Sequence, residues 1–340
     1  MKGKEAVSYK QAPKTVFLRR LIIIVLVCIV LSTTLSGQHI SNYHLFSGYG
    51  INHSDQQELI LLRQFLRGSD TCYLSVSPQT LMTSVVSSAD IDVTSLSWNE
   101  IRKRYAPTSY IFALEESEFS SNRLQDAGIR KVLNLKKGID LTIDLCPSHL
   151  PLDRIVFTEL IREMGSVEKP VPVSISVTGD WIIRHPRDFE WLDSLGRTGQ
   201  LSILWINHSY NHRTYKNVPF RSDFMLAPGT DIKSEVLRLE ELLLEKNIIP
   251  SVFFRFPGLV SDKKSFDTII GYGLIPVGSD AWLAKSQWPL NGSIVLIHAN
   301  GNEPLGIKDF IKLLKKEQSQ AISGQWELFD LRESVTEEEE

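Results

Sequence analysis

From about residue 138 to about residue 317, strand-length apolar runs alternate with helix-length amphipathic runs, and this restricts that part of the chain to a parallel α/β architecture. Ile139, Leu141 and Ile143 form one face of a strand by period-2 alternation, with Asp140, Thr142 and Asp144 on the other. Residues 155–164 follow as a helix that ends at Gly165. Val171, Val173, Ile175 and Val177 alternate against smaller partners, and residues 186–195 form a helix with Pro186 early and Gly196 just past the end. Strands over 201–206, 251–256 and 292–298 then alternate with helices over 231–246, 263–270 and 307–317. The sheet is either open or closed into a barrel.

The rest of the 340 residues is organised differently. Residues 1–20 carry Lys2, Lys4, Lys10, Lys14, Arg19 and Arg20, and residues 21–37 are apolar, then small and polar. This reads as a targeting segment: a signal anchor, or, as the rival reading, a cleaved signal peptide. Either way the positive flank stays in the cytoplasm and the remainder is exported, membrane-anchored or secreted. Residues 38–137 carry no motif; a helix is expected over 57–66, a Ser/Thr-rich stretch covers 75–97, and a strand is expected over 110–114. An acidic tail, residues 331–340, is expected to be disordered from Ser334. A formal net charge of -3 gives no reason to expect a nucleic-acid partner.

Parallel α/β folds collect reactive groups beyond the carboxyl ends of their strands. Asp144 ends the first strand, His208 and His212 follow the third, Arg255 closes the fourth and His298 ends the last. The fold would gather them around one mouth. Each also has a plain structural reading. A histidine pair at i and i+4 can grip one metal ion, but taken alone is more often structural. Asp144 could cap a helix, Arg255 could pair with a surface carboxylate, and His298 could be a hydrogen-bonded core residue. Asp140, deeper in the strand, is taken as structural.

In order along the chain, "LTIDLCPS" (141–148), "VSISVTGDWIIRHP", "INHSYNH", "FFRFPG", "SDAWL" and "GSIVLIHANG" resemble the motifs of the polysaccharide deacetylases of the NodB-homology type, carbohydrate esterase family 4. The resemblance covers residues 138–330 as a catalytic domain and implies a distorted (β/α)7 barrel that removes acetyl groups from a glycan with a divalent metal, Zn foremost. By the same resemblance, Asp144 would be the general base, held ionised and oriented by Arg255, and His208 and His212 would bind the metal. His298 would protonate the leaving amine with Asp280 keeping it charged, while Trp282 and Leu296 would line the pocket for the acetyl methyl.

The sequence departs from the family pattern at one ligand. The second aspartate of the family's Asp-Asp pair, a metal ligand, is Leu145 here, and the glycine after it is Cys146. Three outcomes stay open: His149 or Asp153 folds back as the third ligand, with Asp153 slightly favoured; Cys146 serves as a soft ligand, which a disulfide to Cys72 would forbid; or the site holds metal poorly and the protein binds glycans without turnover. A serine or cysteine hydrolase is disfavoured, since no Gly-x-Ser-x-Gly elbow occurs and Cys146 has no evident partner in the sequence.

Overall fold

The computed structural model describes residues 39–132 and 136–336. The expected basic tail and apolar targeting segment lie outside the described residues. Among the described residues, no helix is long and apolar enough to cross a membrane.

The second half is mixed α/β, built on a curled, all-parallel half-barrel sheet. Its strands are β6 (Gly138–Leu145), β7 (Val171–Val177), β8 (Leu201–Asn207), β9 (Phe253–Phe254), β10 (Ile275–Pro276), β11 (Ala281–Trp282), β12 (Ser293–His298) and β13 (Glu327–Leu328). Their order is β10-β9-β8-β7-β6-β12-β11, with β13 added to the start of β6. The helices α3 (Arg154–Met164), α4 (Gly179–Arg184), α5 (Pro186–Arg197), α6 (Ile232–Glu245), α7 (Lys263–Gly271) and α8 (Pro304–Ile322) connect them. The expected strands and helices appear here, and the short strands β10, β11 and β13 are added to them. The strand expected over 251–256 shortens to β9, and α4 is an additional helix, started by the Thr178 hydroxyl accepting from the Trp181 N–H at 3.3 Å.

Alternation along β6 decides which side chains can reach a site. Ile139, Leu141, Ile143 and Leu145 pack in one core with Val156 and Phe157 of α3 and Phe310 and Leu313 of α8. Asp140, Thr142 and Asp144 therefore face the other way. The register does the rest: Asp144 is the direct neighbour of His298 across β6 and β12, and Asn207 is that of Phe254 across β8 and β9. Asp144, His208, Arg255 and His298 thus meet at the carboxyl ends of four strands.

Residues 39–132 differ from the expectation. The segment 57–66, expected as a helix, is strand β2 (Glu58–Arg67), and 110–114, expected as a strand, lies in helix α2 (Ser109–Glu118). In β2 the run Leu59, Ile60, Leu61 and Leu62 is buried on both faces, so it has no period-2 signal to distinguish it from a helix. In α2, Tyr110, Ile111, Ala113 and Leu114 are buried at helical spacing. Strands β1 (Ile40–Asn52), β2, β3 (Asp70–Val76), β4 (Thr83–Ser87) and β5 (Ile91–Ser95) form an antiparallel sheet in the order β4-β3-β2-β1-β5, and helix α1 (Trp98–Arg104) precedes α2.

This sheet is locked to the α/β part through polar groups. Arg63 of β2 donates from Nε and Nη2 to the Glu240 carboxylate of α6 at 2.7 and 3.0 Å, and from Nη1 to the Tyr272 carbonyl at 2.7 Å. Both side chains of the ion pair are 1% exposed, and Tyr43 Oη donates to Glu240 as well, at 3.0 Å. Such a pair is tolerated in the interior because its remaining hydrogen-bonding capacity is filled. Gly273, at φ +75, accepts from Tyr110 Oη at 2.5 Å; a Cβ there would strike Leu62 and Tyr110.

The C-terminal expectation also needs correction. Residues 331–334 are helix α9 (Leu331–Ser334) rather than the start of a disordered tail, and Ser334 Oγ donates to Asp140 Oδ1 at 2.9 Å. Leu331 and Val335 are buried core residues, which ties the segment down. Residues 337–340 lie outside the described residues.

Candidate functional site

Arg255, fully buried after β9, organises the base of the site. Its Nη1 donates to Asp144 Oδ1 at 3.0 Å and to Thr142 Oγ1 at 2.7 Å, and its Nη2 donates to the Gly278 carbonyl at 2.8 Å. Its own carbonyl accepts from His208 Nδ1 at 2.8 Å. That bond puts the His208 proton on Nδ1 and leaves Nε2 with its lone pair free, 3.5 Å from Cys146 Sγ and 3.7 Å from Asp144 Oδ2.

His212 lies in the turn after β8 with φ at 47°, its N–H bonded to Ser209 Oγ at 3.1 Å. Its ring packs against His208 at a centroid distance of 4.8 Å, and its buried Nε2 has no partner. Ligand atoms of Cys146, His208 and His212 all lie within 4.8 Å of one another, forming a group that could hold a metal ion.

The residue grouped with the two histidines is Cys146, and neither His149 nor Asp153 belongs to that cluster. His149 is exposed, and Asp153 Oδ2 accepts from the Gly301 N–H at 2.7 Å. Leu145 points into the core between sheet and helices, so the residue on the ligand side of the turn is Cys146. Cys146 and Cys72 are both free thiols; Cys72 is buried in β3. Burial opposes ionisation of Cys146, yet the imidazoles of His212, His298 and His208 together hold its thiol well below the ordinary range. Burial likewise disfavours the imidazolium of His298, while Cys146, Glu303 and Asp144 outweigh it and raise that group well above its usual value.

His298 Nδ1 donates to Glu303 Oε2 at 2.9 Å, and Trp282 Nε1 donates to the same oxygen at 2.9 Å. The expected partner, Asp280, accepts instead from Ser293 Oγ at 3.2 Å, and its Oδ1 is buried without a partner. Strand register explains the correction: the Asp280 N–H bonds the Ile294 carbonyl and Trp282 pairs with Leu296, so Asp280 lies four residues along β12 from His298. Glu303 was missed in the sequence; its only signal there is an acid immediately before Pro304 at a helix start.

A cavity of about 230 Å³ joins these groups, with Asp144, Cys146, His208, His212, His298 and Glu303 on its polar side and Trp282 and Leu296 among its apolar walls. A larger cleft of about 520 Å³ opens at the other end of β6, beside Gly138, Trp288 and Trp326, away from this cluster.

No protein-family model matches the chain. Solved structures similar to it include family 4 carbohydrate esterases. One from Bacillus anthracis is 17% identical, with a TM-score of 0.43 over 65% of this chain and 90% of that one. A peptidoglycan N-acetylglucosamine deacetylase in complex with a benzamide is 14% identical, with a TM-score of 0.44 over 61% of this chain and 91% of that one. A wild-type family 4 pseudoenzyme from Bacillus anthracis is 14% identical, with a TM-score of 0.42 over 62% and 70%.

Proposed function

We propose that the protein is a metal-dependent hydrolase on a distorted (β/α)7 barrel that removes acetyl groups, N-acetyl foremost, from a polysaccharide or oligosaccharide outside the cytoplasm. In this reading the N-terminal apolar segment holds it at the membrane. One observation carries the proposal: a clamped carboxylate, a three-donor cluster and an acid-competent histidine share one cavity beside an apolar wall.

The donors fit a divalent cation. One thiolate and two imidazoles are a donor set suited to Zn²⁺ and leave a coordination position open. The unpartnered Nε2 of His212 is a buried nitrogen that a cation would satisfy. When bound, the metal acidifies water and offsets the negative charge that develops on the acyl oxygen. The chain supplies the remainder. Asp144, fixed by Arg255, accepts the proton of the attacking water. His298 gives its proton to the departing amine, and Trp282 and Leu296 seat the acetyl methyl. An amide is a poor electrophile with a poor leaving group, so it needs both proton transfers.

A glycan-binding protein without turnover is the second reading, favoured by Leu145, which turns its apolar side chain away from the donors. Acetate release from N-acetylglucosamine oligomers by the zinc-loaded full chain separates the two. The hydrolase reading expects release from the wild type and none from Asp144→Asn. Binding without release from the wild type supports the second reading, and equal release from both proteins contradicts the role given to Asp144.

A further inference from the structure

Glu303 is the last residue before α8, where the positive end of the helix favours a carboxylate. Its Oε2 is shared by two donors that come from different strands and have different tasks in the proposed reaction: Nδ1 of His298 and Nε1 of Trp282, each at 2.9 Å. The two rings lie 5.6 Å apart and 32° from parallel. Lys285 Nζ sits 3.4 Å from the centre of the Trp282 ring, so that indole is held at its face by a cation and at its edge by Glu303.

A carboxylate that accepts from Nδ1 keeps the proton there and orients the ring, leaving Nε2 to exchange the mobile proton. An acceptor shared with an indole N–H also fixes the plane of the ring that walls the cavity. Truncating Glu303 would leave two partly buried N–H groups without that acceptor.

We propose that Glu303 is the positioning residue of the site, setting the tautomer and orientation of His298 and the seat of Trp282 through one oxygen, so that the leaving-group acid and the acyl-selective wall are fixed together. This rests on the deacetylase reading. It implies that acyl-group selectivity and leaving-group protonation fail together when Glu303 is truncated, although His298 and Trp282 both remain.

The test uses the full chain, zinc-loaded, with N-acetyl and N-propionyl glucosamine oligomers as paired substrates. Glu303→Ala is expected to lower kcat on the acetyl substrate by about 10–100-fold with little change in KM, and to narrow the preference for acetyl over propionyl. Glu303→Asp, which keeps the carboxylate, is expected to recover part of both losses. Unchanged zinc content and melting temperature in Glu303→Ala show that the variant is folded; if it is not, Glu303→Gln, which keeps one oxygen acceptor, is expected to retain more of the acyl preference than of kcat. A Glu303→Ala enzyme with wild-type acyl preference, or an Asp280→Asn enzyme with the same paired loss, would overturn the proposal. If the wild type releases neither acyl group, the deacetylase reading falls and the ¹⁵N spectrum of His298 decides the positioning role by itself. Recorded at a pH high enough for the ring to be neutral, a proton on Nδ1 in the wild type that redistributes between the ring nitrogens in Glu303→Ala supports it, and an identical tautomer in both overturns it.

Discussion

Arg255 holds both Asp144 and His208: its guanidinium donates to the Asp144 carboxylate at 3.0 Å, and its carbonyl accepts from His208 Nδ1 at 2.8 Å. The proposed base and the first imidazole ligand are therefore oriented by the side chain and the backbone of one residue.

Arg255→Lys removes the fork while keeping a charge. A single ammonium cannot serve Asp144, Thr142 and the Gly278 carbonyl together, so buried acceptors lose their donor. The expected cost in unfolding free energy is about 1–3 kcal/mol, measured by urea denaturation. A variant as stable as the wild type would show that the clamp carries no such energy.

Glu240→Ala tests how the antiparallel sheet is attached. It leaves Arg63 buried and uncompensated, and the expected loss is about 3–5 kcal/mol. Because α6 supplies no donor to the cluster, the folded fraction of the variant should keep the wild-type zinc stoichiometry. Equilibrium dialysis alongside thermal melting checks both halves.

Asp140 makes stability depend on pH. Burial pushes its carboxyl up to about 8, with the Ser334 hydroxyl working in the opposite direction. The unfolded value is about 3.9, so between these values the folded state keeps a proton that the unfolded chain has lost. Its stabilising contribution is complete below about pH 4 and is lost as pH rises through about 8. Asp140→Asn removes that dependence. The variant should gain stability over the wild type between pH 5 and pH 8.5, read as a growing difference in urea midpoint. A difference that stays constant across the range would contradict the assignment.

His149, an alternative third ligand, and His212 make a sharp contrast. His149→Ala should leave the zinc affinity unchanged, because that ring is exposed and outside the cluster, whereas His212→Ala should lower it by more than about 100-fold through loss of a direct ligand. Isothermal titration with zinc reads both. Equal effects would remove His212 from the donor set.

Much of the fold could be read from the sequence where burial is patterned, and little where it is not. The alternation of Ile139, Leu141 and Ile143 against Asp140, Thr142 and Asp144 marks β6 and its polar face, and the helical periods mark α3, α5, α6 and α7. β2 defeats the same reasoning because it is apolar on both faces, and α2 because its short apolar cluster fits either period. At the site, Asp144, His208, His212, Arg255 and His298 were legible because each follows or ends a parallel strand. The roles of Cys146 and Glu303 depend on which way a turn closes and on the register between β11 and β12, and neither leaves a periodic trace in the sequence.

The central claim is that Cys146 completes a cation site with His208 and His212. Cobalt(II) bound to the full chain reports this directly, because thiolate ligation adds an intense near-ultraviolet charge-transfer band that nitrogen and oxygen ligands do not give. The band is expected in the wild type and absent from Cys146→Ser at equal cobalt loading. A wild-type protein that binds cobalt without the band would contradict the account.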